Sequence, residues 1–178
     1  MRVVSYNSRG LRLGHSAADK ARRLVVDTLL DDCDILCIQE SWMAKQDLDK
    51  LNTLHPDFHG AGESTTDLST GIHRGRIPGG VVILWNVKYD SMVKIVRLNV
   101  DWAIGLEFNC NGKRFLILNV YTPYESYDHL DEFMSRLAFI QSFIEDADLS
   151  CIYVMGDYNA DLSDSKSLFG KKYDEIFK

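Results

Sequence analysis

Four apolar segments of this chain each run into a polar residue, and together those residues are of the types that hold a cation against a phosphate. Val3-Val4-Ser5-Tyr6 runs into Asn7, the segment 35–39 into Glu40, the segment 115–120 into Tyr121, and Ile152-Tyr153-Val154-Met155-Gly156 into Asp157, with Asn159 two positions on. In layered α/β proteins ligands settle just beyond the carboxyl ends of strands, where side chains leave the sheet and backbone groups are free. Four such ends meeting in one place would put two carboxylates among neutral donors and acceptors, an oxygen-rich set suited to a hard cation and a phosphate ester. Taken singly each signal is ordinary, since Asp and Asn after Gly are common turn formers. The weight lies in four strand ends presenting compatible groups together.

The rest of the sequence supplies elements able to position them. Ser16 can cap a helix whose apolar positions Leu24, Val25 and Leu29 recur at helical spacing. A weaker helix is expected over 46–54, and 55–80, rich in Gly, Ser, Thr, Asp and His, reads as a long surface loop able to touch substrate. From Gly80 onward the pattern turns to β runs at 81–85, 93–98, 103–108 and 115–120, the last two joined by the turn Asn109-Cys110-Asn111-Gly112. Between 128 and 147, Leu130, Phe133, Met134, Leu137, Ile140 and Ile144 share one helical face, while Asp131, Glu132, Arg136 and Gln141 lie off it. A strand at 151–155 and a helix from about Lys166 close the order. This is the succession expected of an α/β fold in four layers, two mixed β-sheets packed face to face between helices.

At 178 residues and 46% hydrophobic content, one sizeable core and a single domain over 1–178 are expected. With 26 acidic against 20 basic residues the net charge is −6, which excludes a nucleic-acid surface built on overall positive charge. Any grip on nucleic acid must be local, and the candidate patches are Arg9 and Arg12 with Lys20, Arg22 and Arg23, and the loop carrying His73, Arg74 and Arg76. The cysteines Cys33, Cys37, Cys110 and Cys151 form no CxxC pair, and three fall in or beside apolar strands; buried reduced thiols in a reducing compartment are expected. No leader or membrane-length apolar run is visible, so the sequence predicts an intracellular protein without a membrane partner, in nucleus and cytoplasm.

The motifs Tyr6-Asn7, Ile38-Gln39-Glu40, Asn119-Val120-Tyr121-Thr122-Pro123 and Gly156-Asp157-Tyr158-Asn159-Ala160, in this order, resemble those of the endonuclease/exonuclease/phosphatase superfamily. Within it, Gly80-Val81-Val82-Ile83-Leu84, the Tyr-Thr-Pro after the strand, and Ser167-Leu168-Phe169-Gly170-Lys171 are most similar to the endonuclease domains of LINE-type (non-LTR) retrotransposons. The resemblance implies a Mg²⁺-dependent phosphodiesterase that nicks DNA to prime reverse transcription, with Mn²⁺ as a substitute ion. It implies that Glu40 and Asn7 hold the metal, that Asp157 orients or deprotonates water, and that Asn159 and Tyr121 contact the phosphate or the leaving oxygen. Arg9, Arg74 and Arg76 would then touch DNA.

Family members carry a further Asp and an Asp-His pair downstream of the Gly-Asp motif, and neither follows Asp157 here. The resemblance thus implies a domain short of its C-terminal strands, with a second sheet left incomplete and completed by the missing part of the polypeptide or by a second copy. The last histidine, His129, stands at a helix start and is not given that role. The competing functions are a small-molecule or lipid phosphoesterase or RNA deadenylase with the same site, or a catalytically silent nucleic-acid-binding fragment.

Overall fold

The structure, a computed structural model, describes residues 1–11, 16–71, 75, 77–164 and 166–177. Among the described residues, eight strands form two four-stranded mixed sheets. In the first, the order is β1 (Val3–Asn7), β2 (Ile35–Gln39), β4 (Val81–Asn86), β3 (Phe58–Glu63); in the second it is β5 (Val93–Arg97), β6 (Ala103–Cys110), β7 (Lys113–Tyr121), β8 (Cys151–Asp157). Each sheet contains one parallel pair, β1 with β2 and β7 with β8, and every other ladder is antiparallel. Parallel partners end on the same side, so each sheet delivers two carboxyl ends side by side.

Alternation along the strands separates the layers. Ile35, Cys37, Ile83 and Trp85 of the first sheet meet Ile104, Leu106, Phe108 and Ile117 of the second in the central core. Leu36, Ile38, Val82 and Leu84 point the other way and pack under α1 (Ala17–Asp32). Leu116, Leu118 and Val120 face α2 (Leu130–Asp146), which also stacks its Phe133 on Phe169 of α3 (Leu168–Phe177) at 4.0 Å between ring centroids. Helix, sheet, sheet, helices: the four-layer α/β sandwich expected from the element order is present.

Several details differ from the sequence reading. The stretch 55–80 is not all loop, because Phe58–Glu63 forms the outer strand β3. Its glycines hid it from propensity and are required by packing, since a Cβ on Gly60 would lie 2.4 Å from Leu84 Cδ2. The expected helix at 46–54 is a 3-10 segment, Lys45–Thr53, that buries Leu51. Ser16 caps α1 as expected, in a capping box with Asp19, but the buried face of the helix is not the one its apolar spacing predicts. Leu24 is 67% and Val25 43% exposed, while Val26 and Leu30 are the buried pair, because the run 24–30 is apolar on more than one face and spacing alone cannot choose between them. Cys33 and Cys37 are buried thiols, which burial pushes up to about 11 and about 12, whereas Cys110 and Cys151 are exposed; all four are free. No helix among the described residues is long and apolar enough to cross a membrane.

Candidate active site

The two parallel strand pairs stack with their carboxyl ends together, and Asn7 joins them. Its amide nitrogen donates to Glu40 Oε1 at 2.9 Å and to Asp157 Oδ2 at 2.6 Å, so one neutral group links a carboxylate on the first sheet to one on the second. Its oxygen accepts the Arg9 backbone N–H at 3.1 Å. Tyr121 occupies the register position beside Asp157 and lies in the field of both Glu40 and Asp157. Burial first, then the negative charges of Glu40 and Asp157, push this phenol up to about 12, so near neutral pH it is a protonated donor.

Short-range backbone geometry aims these groups. Glu40 sits in the left-handed region at φ 51°, and its carbonyl accepts the Gly10 N–H at 2.7 Å and the Ser8 hydroxyl at 3.1 Å. Arg9, Trp42 and Asn159 share that uncommon conformation, a local concentration that marks a place where folding strain is spent on aiming side chains. On the second sheet, Gly156 at φ 146° lets β8 close on β7, because a Cβ there would lie 1.9 Å from the Val120 carbonyl oxygen. Asn159 donates its backbone N–H to Asp157 Oδ1 at 3.0 Å and its side-chain amide to the Thr122 carbonyl at 2.8 Å. An amide nitrogen carries two hydrogens, so this bond occupies one of the two that Asn159 can donate.

Two further residues brace the site, and the first of them joins the two sheets. Asn119, fully buried, donates to the carbonyls of Ile38 at 3.0 Å and Val82 at 2.8 Å across the central core, and accepts from Gln39 Nε2 at 2.6 Å. A buried amide is costly unless every polar atom is paired, so this pair fixes the register of the sheets just behind Glu40 and Tyr121. The signal was present, since Asn119 interrupts the apolar run Phe115-Leu116-Ile117-Leu118 and Val120. Arg136, placed off the inward face of its helix, lies over the Trp102 ring at 5.0 Å and donates to the Tyr121 carbonyl at 2.6 Å. Nothing in helical periodicity announces a contact of that kind.

The structure therefore brings together Asn7, Glu40, Tyr121, Asp157 and Asn159. Arg9 lies beside them, exposed and one residue past the buried Ser8. Arg74 and Arg76 lie outside the described residues, as do Arg12 and His73. Lys20 is exposed on α1, and Arg23 is paired with Asp27 at 2.7 Å. His129 is engaged with Glu132 at 3.4 Å and the Tyr124 ring, outside the set.

The donor set fits a hard divalent cation. The side-chain partners of Glu40 and Asp157 are neutral amides and a phenol, and no cluster of three or more His, Cys, Asp or Glu that could hold a metal occurs among the described residues. Two carboxylates held apart by an amide suit an ion such as Mg²⁺, which takes one or two protein carboxylates and fills the rest of its shell with water and phosphate oxygens. Glu40 and Asp157 would hold it; Asn7, as placed, offers them its nitrogen and turns its oxygen to Arg9. Beside these residues a shallow, open cavity of about 590 Å³ runs along Glu125, Gly156, Asp157, Tyr158, Asn159, Ala160 and Asp161.

The sequence model of the endonuclease/exonuclease/phosphatase family matches residues 4–175, and the chain belongs to that family. Its fold is similar to that of the human Nocturnin catalytic domain solved with bound sulfate (18% identity, TM-score 0.61, 98% of this chain and 68% of that one). It is likewise similar to an endonuclease/exonuclease/phosphatase family protein from Bacteroides thetaiotaomicron (18% identity, TM-score 0.62, 99% and 68%). A third similar structure is D. rerio TDP2 complexed with single-strand DNA product (16% identity, TM-score 0.58, 90% and 61%). The chain thus spans roughly two thirds of the length of these proteins, and at such identities the likeness is one of fold. No curated protein matches the sequence. Family membership makes the chain a phosphoesterase-type protein, and enzymes of this family generally work with divalent metals.

Proposed function

We propose that this member of the family is a divalent-metal-dependent phosphodiesterase that nicks DNA, of the kind LINE-type retrotransposons use to make the primer end for reverse transcription. The observation that supports it most is the Glu40–Asn7–Asp157 bridge, with Tyr121 and Asn159 at its rim. When bound, the cation would neutralise charge developing on the phosphoryl oxygens. The protein's own groups do the rest. Asp157, steadied by the Asn7 amide and the Asn159 N–H, takes the proton of the attacking water. Asn159 donates its remaining amide hydrogen to a phosphoryl oxygen, a contact that tightens as charge grows. Tyr121, protonated through the neutral range, donates to the phosphate or to the departing oxygen.

The finer assignment to the retrotransposon branch rests on local sequence that has structural work at the site. Thr122 of the Tyr-Thr-Pro segment is fully buried and donates to the Tyr158 carbonyl, tying the end of β7 to the loop after Asp157. Ser167 and Leu168 bond the Glu125 carboxylate at 2.7 Å each, and Gly170 makes room for the Asp161 carbonyl, where a Cβ would stand 2.4 Å away. The competing substrate class is a small phosphate ester, and a mannosyl-6-phosphatase from Bacteroides thetaiotaomicron shares the fold at 17% identity and TM-score 0.60. The deciding test is supercoiled plasmid offered in Mg²⁺ beside a panel of sugar and inositol phosphates and poly(A). Open-circular product that disappears with EDTA and in Asp157→Ala supports the nuclease. Turnover of a small ester or poly(A) with intact plasmid assigns the site to the other class, and DNA retention without cleavage in any divalent ion makes it a binding module.

A further inference from the structure

Beyond the strand ends, the segment between β7 and α2 carries two large side chains that the fold does not use. Tyr124 is 64% and Tyr127 84% exposed, the latter the most exposed of the large hydrophobic side chains described. Both sit on a fastened segment. Thr122 at its start receives the Asn159 amide on its carbonyl and donates its hydroxyl to Tyr158. Glu125, between the two tyrosines, accepts from Ser167 and from the first backbone N–H of α3. Ser126 caps the short turn Tyr127–His129 through the His129 N–H at 3.3 Å, and the Tyr124 ring stands edge-on to His129 with centroids 4.5 Å apart. Glu125, which stands between the two tyrosines in the chain, lines the same cavity as Asp157 and Asn159, so this segment borders the site.

We infer that Tyr124 and Tyr127 form a stacking platform for unpaired nucleobases beside the scissile phosphate. The inference rests on the nucleic-acid reading above and names how the strand is gripped. Charge offers little on this side of the cavity, because Glu125, Asp128, Asp131, Glu132, Asp161 and Asp164 crowd the segment and its surroundings and would repel a polyanion. Arg136 is turned inward, onto Trp102, Glu132 and the Tyr121 carbonyl. Aromatic faces need no counter-charge: every base has a π-face, and stacking on tyrosine is tolerant of sequence. The fastened backbone beneath them means little main-chain ordering entropy is lost when a base docks. A tyrosine pair serving only the fold would be expected to bury its rings, and these do not.

The test is a set of 5′-labelled single-stranded oligonucleotides in which one abasic nucleotide is moved along the strand. Binding is followed by fluorescence anisotropy in Ca²⁺ and cleavage separately in Mg²⁺, with wild type, the double variant Tyr124→Ala/Tyr127→Ala, and Tyr124→Phe/Tyr127→Phe. Wild type should lose about tenfold in affinity when the abasic position reaches the platform. The alanine variant should bind the intact strand about tenfold more weakly and be indifferent to the abasic position, and the phenylalanine variant should behave as wild type. An intact strand bound equally by wild type and the alanine variant, or wild-type affinity indifferent to every abasic position, overturns the platform. Failure of the nuclease reading is seen separately, as absence of cleavage by wild type in Mg²⁺ and Mn²⁺ whatever the binding shows.

Discussion

Strand β2 has a carboxylate at each end, and the protein surrounds the two differently. Asp34, just before the strand, accepts the Arg2 backbone N–H at 2.6 Å and the Lys88 ammonium, and those bonds, Lys88 foremost, hold its carboxyl down at about 2. Glu40, just after it, sits in a left-handed backbone conformation, and among the described residues its carboxylate accepts the Asn7 amide and lies near the Tyr121 phenol, both neutral groups. A carboxylate answered by a cation of its own chain is part of the scaffold. One answered only by neutral donors keeps its negative charge available to something the chain does not contain. The backbone repeats the contrast. Arg9, Glu40, Trp42, Asn159 and Gly156 strain toward the site, while the far end turns on Asn111-Gly112, an ordinary hairpin pair.

The strongest way to break this contrast is to remove a site carboxylate. Asp157→Ala or Glu40→Ala should lower kcat/KM on a DNA phosphodiester by about 100-fold or more, about 3 kcal/mol of transition-state stabilisation, while urea unfolding changes little. Retained turnover in either variant would move the chemistry elsewhere. Gly156→Ala attacks the geometry instead of the charge: with no room for a Cβ against Val120, it should cost about 3 kcal/mol or more in urea unfolding and activity with it.

Asn119→Leu keeps the volume but removes the acceptor of the Gln39 amide and the donor that ties β7 to the Ile38 and Val82 carbonyls of the other sheet. We expect about 2–3 kcal/mol of lost stability together with lower turnover, since the two halves of the site lose their common reference. The smallest effect belongs to the scaffold carboxylate. Because the folded state lowers Asp34 from 3.8 to about 2, its contribution is complete above about pH 4 and is lost as pH falls toward 2. Lys88→Ala should flatten the stability curve in that window and leave stability near pH 7 slightly lower, the smallest change of the set because Lys88 is solvent-exposed.

What could be read in the sequence follows the same division. The strands that end at the site are apolar enough on both faces to announce themselves, and their terminal residues announced the chemistry. β3 did not, because Phe58-His59-Gly60-Ala61-Gly62-Glu63 carries glycines where Leu84, Leu51 and Leu48 leave no room for larger side chains, and it is a strand through its pairing with β4. The inward face of α1 was ambiguous because Leu24, Val25, Val26, Leu29 and Leu30 leave two stripes of similar apolarity, and only the position of the sheet selects Val26 and Leu30. At the site, residue types were legible but their mutual contacts were not. That Asn7 donates to both carboxylates, and that Asn119 and Gln39 pair across the core 80 residues apart, are facts of tertiary register that spacing along one chain does not encode.

The central claim, that the neutrally partnered carboxylates and not the cation-paired one take a divalent ion, is tested most directly by titrating Mn²⁺ into the protein and counting bound ions by electron paramagnetic resonance. Wild type, Glu40→Gln and Asp34→Asn are compared at neutral pH. The account predicts a saturable site in wild type that weakens at least tenfold in Glu40→Gln and persists in Asp34→Asn; a Glu40→Gln protein that binds Mn²⁺ as wild type does would contradict it.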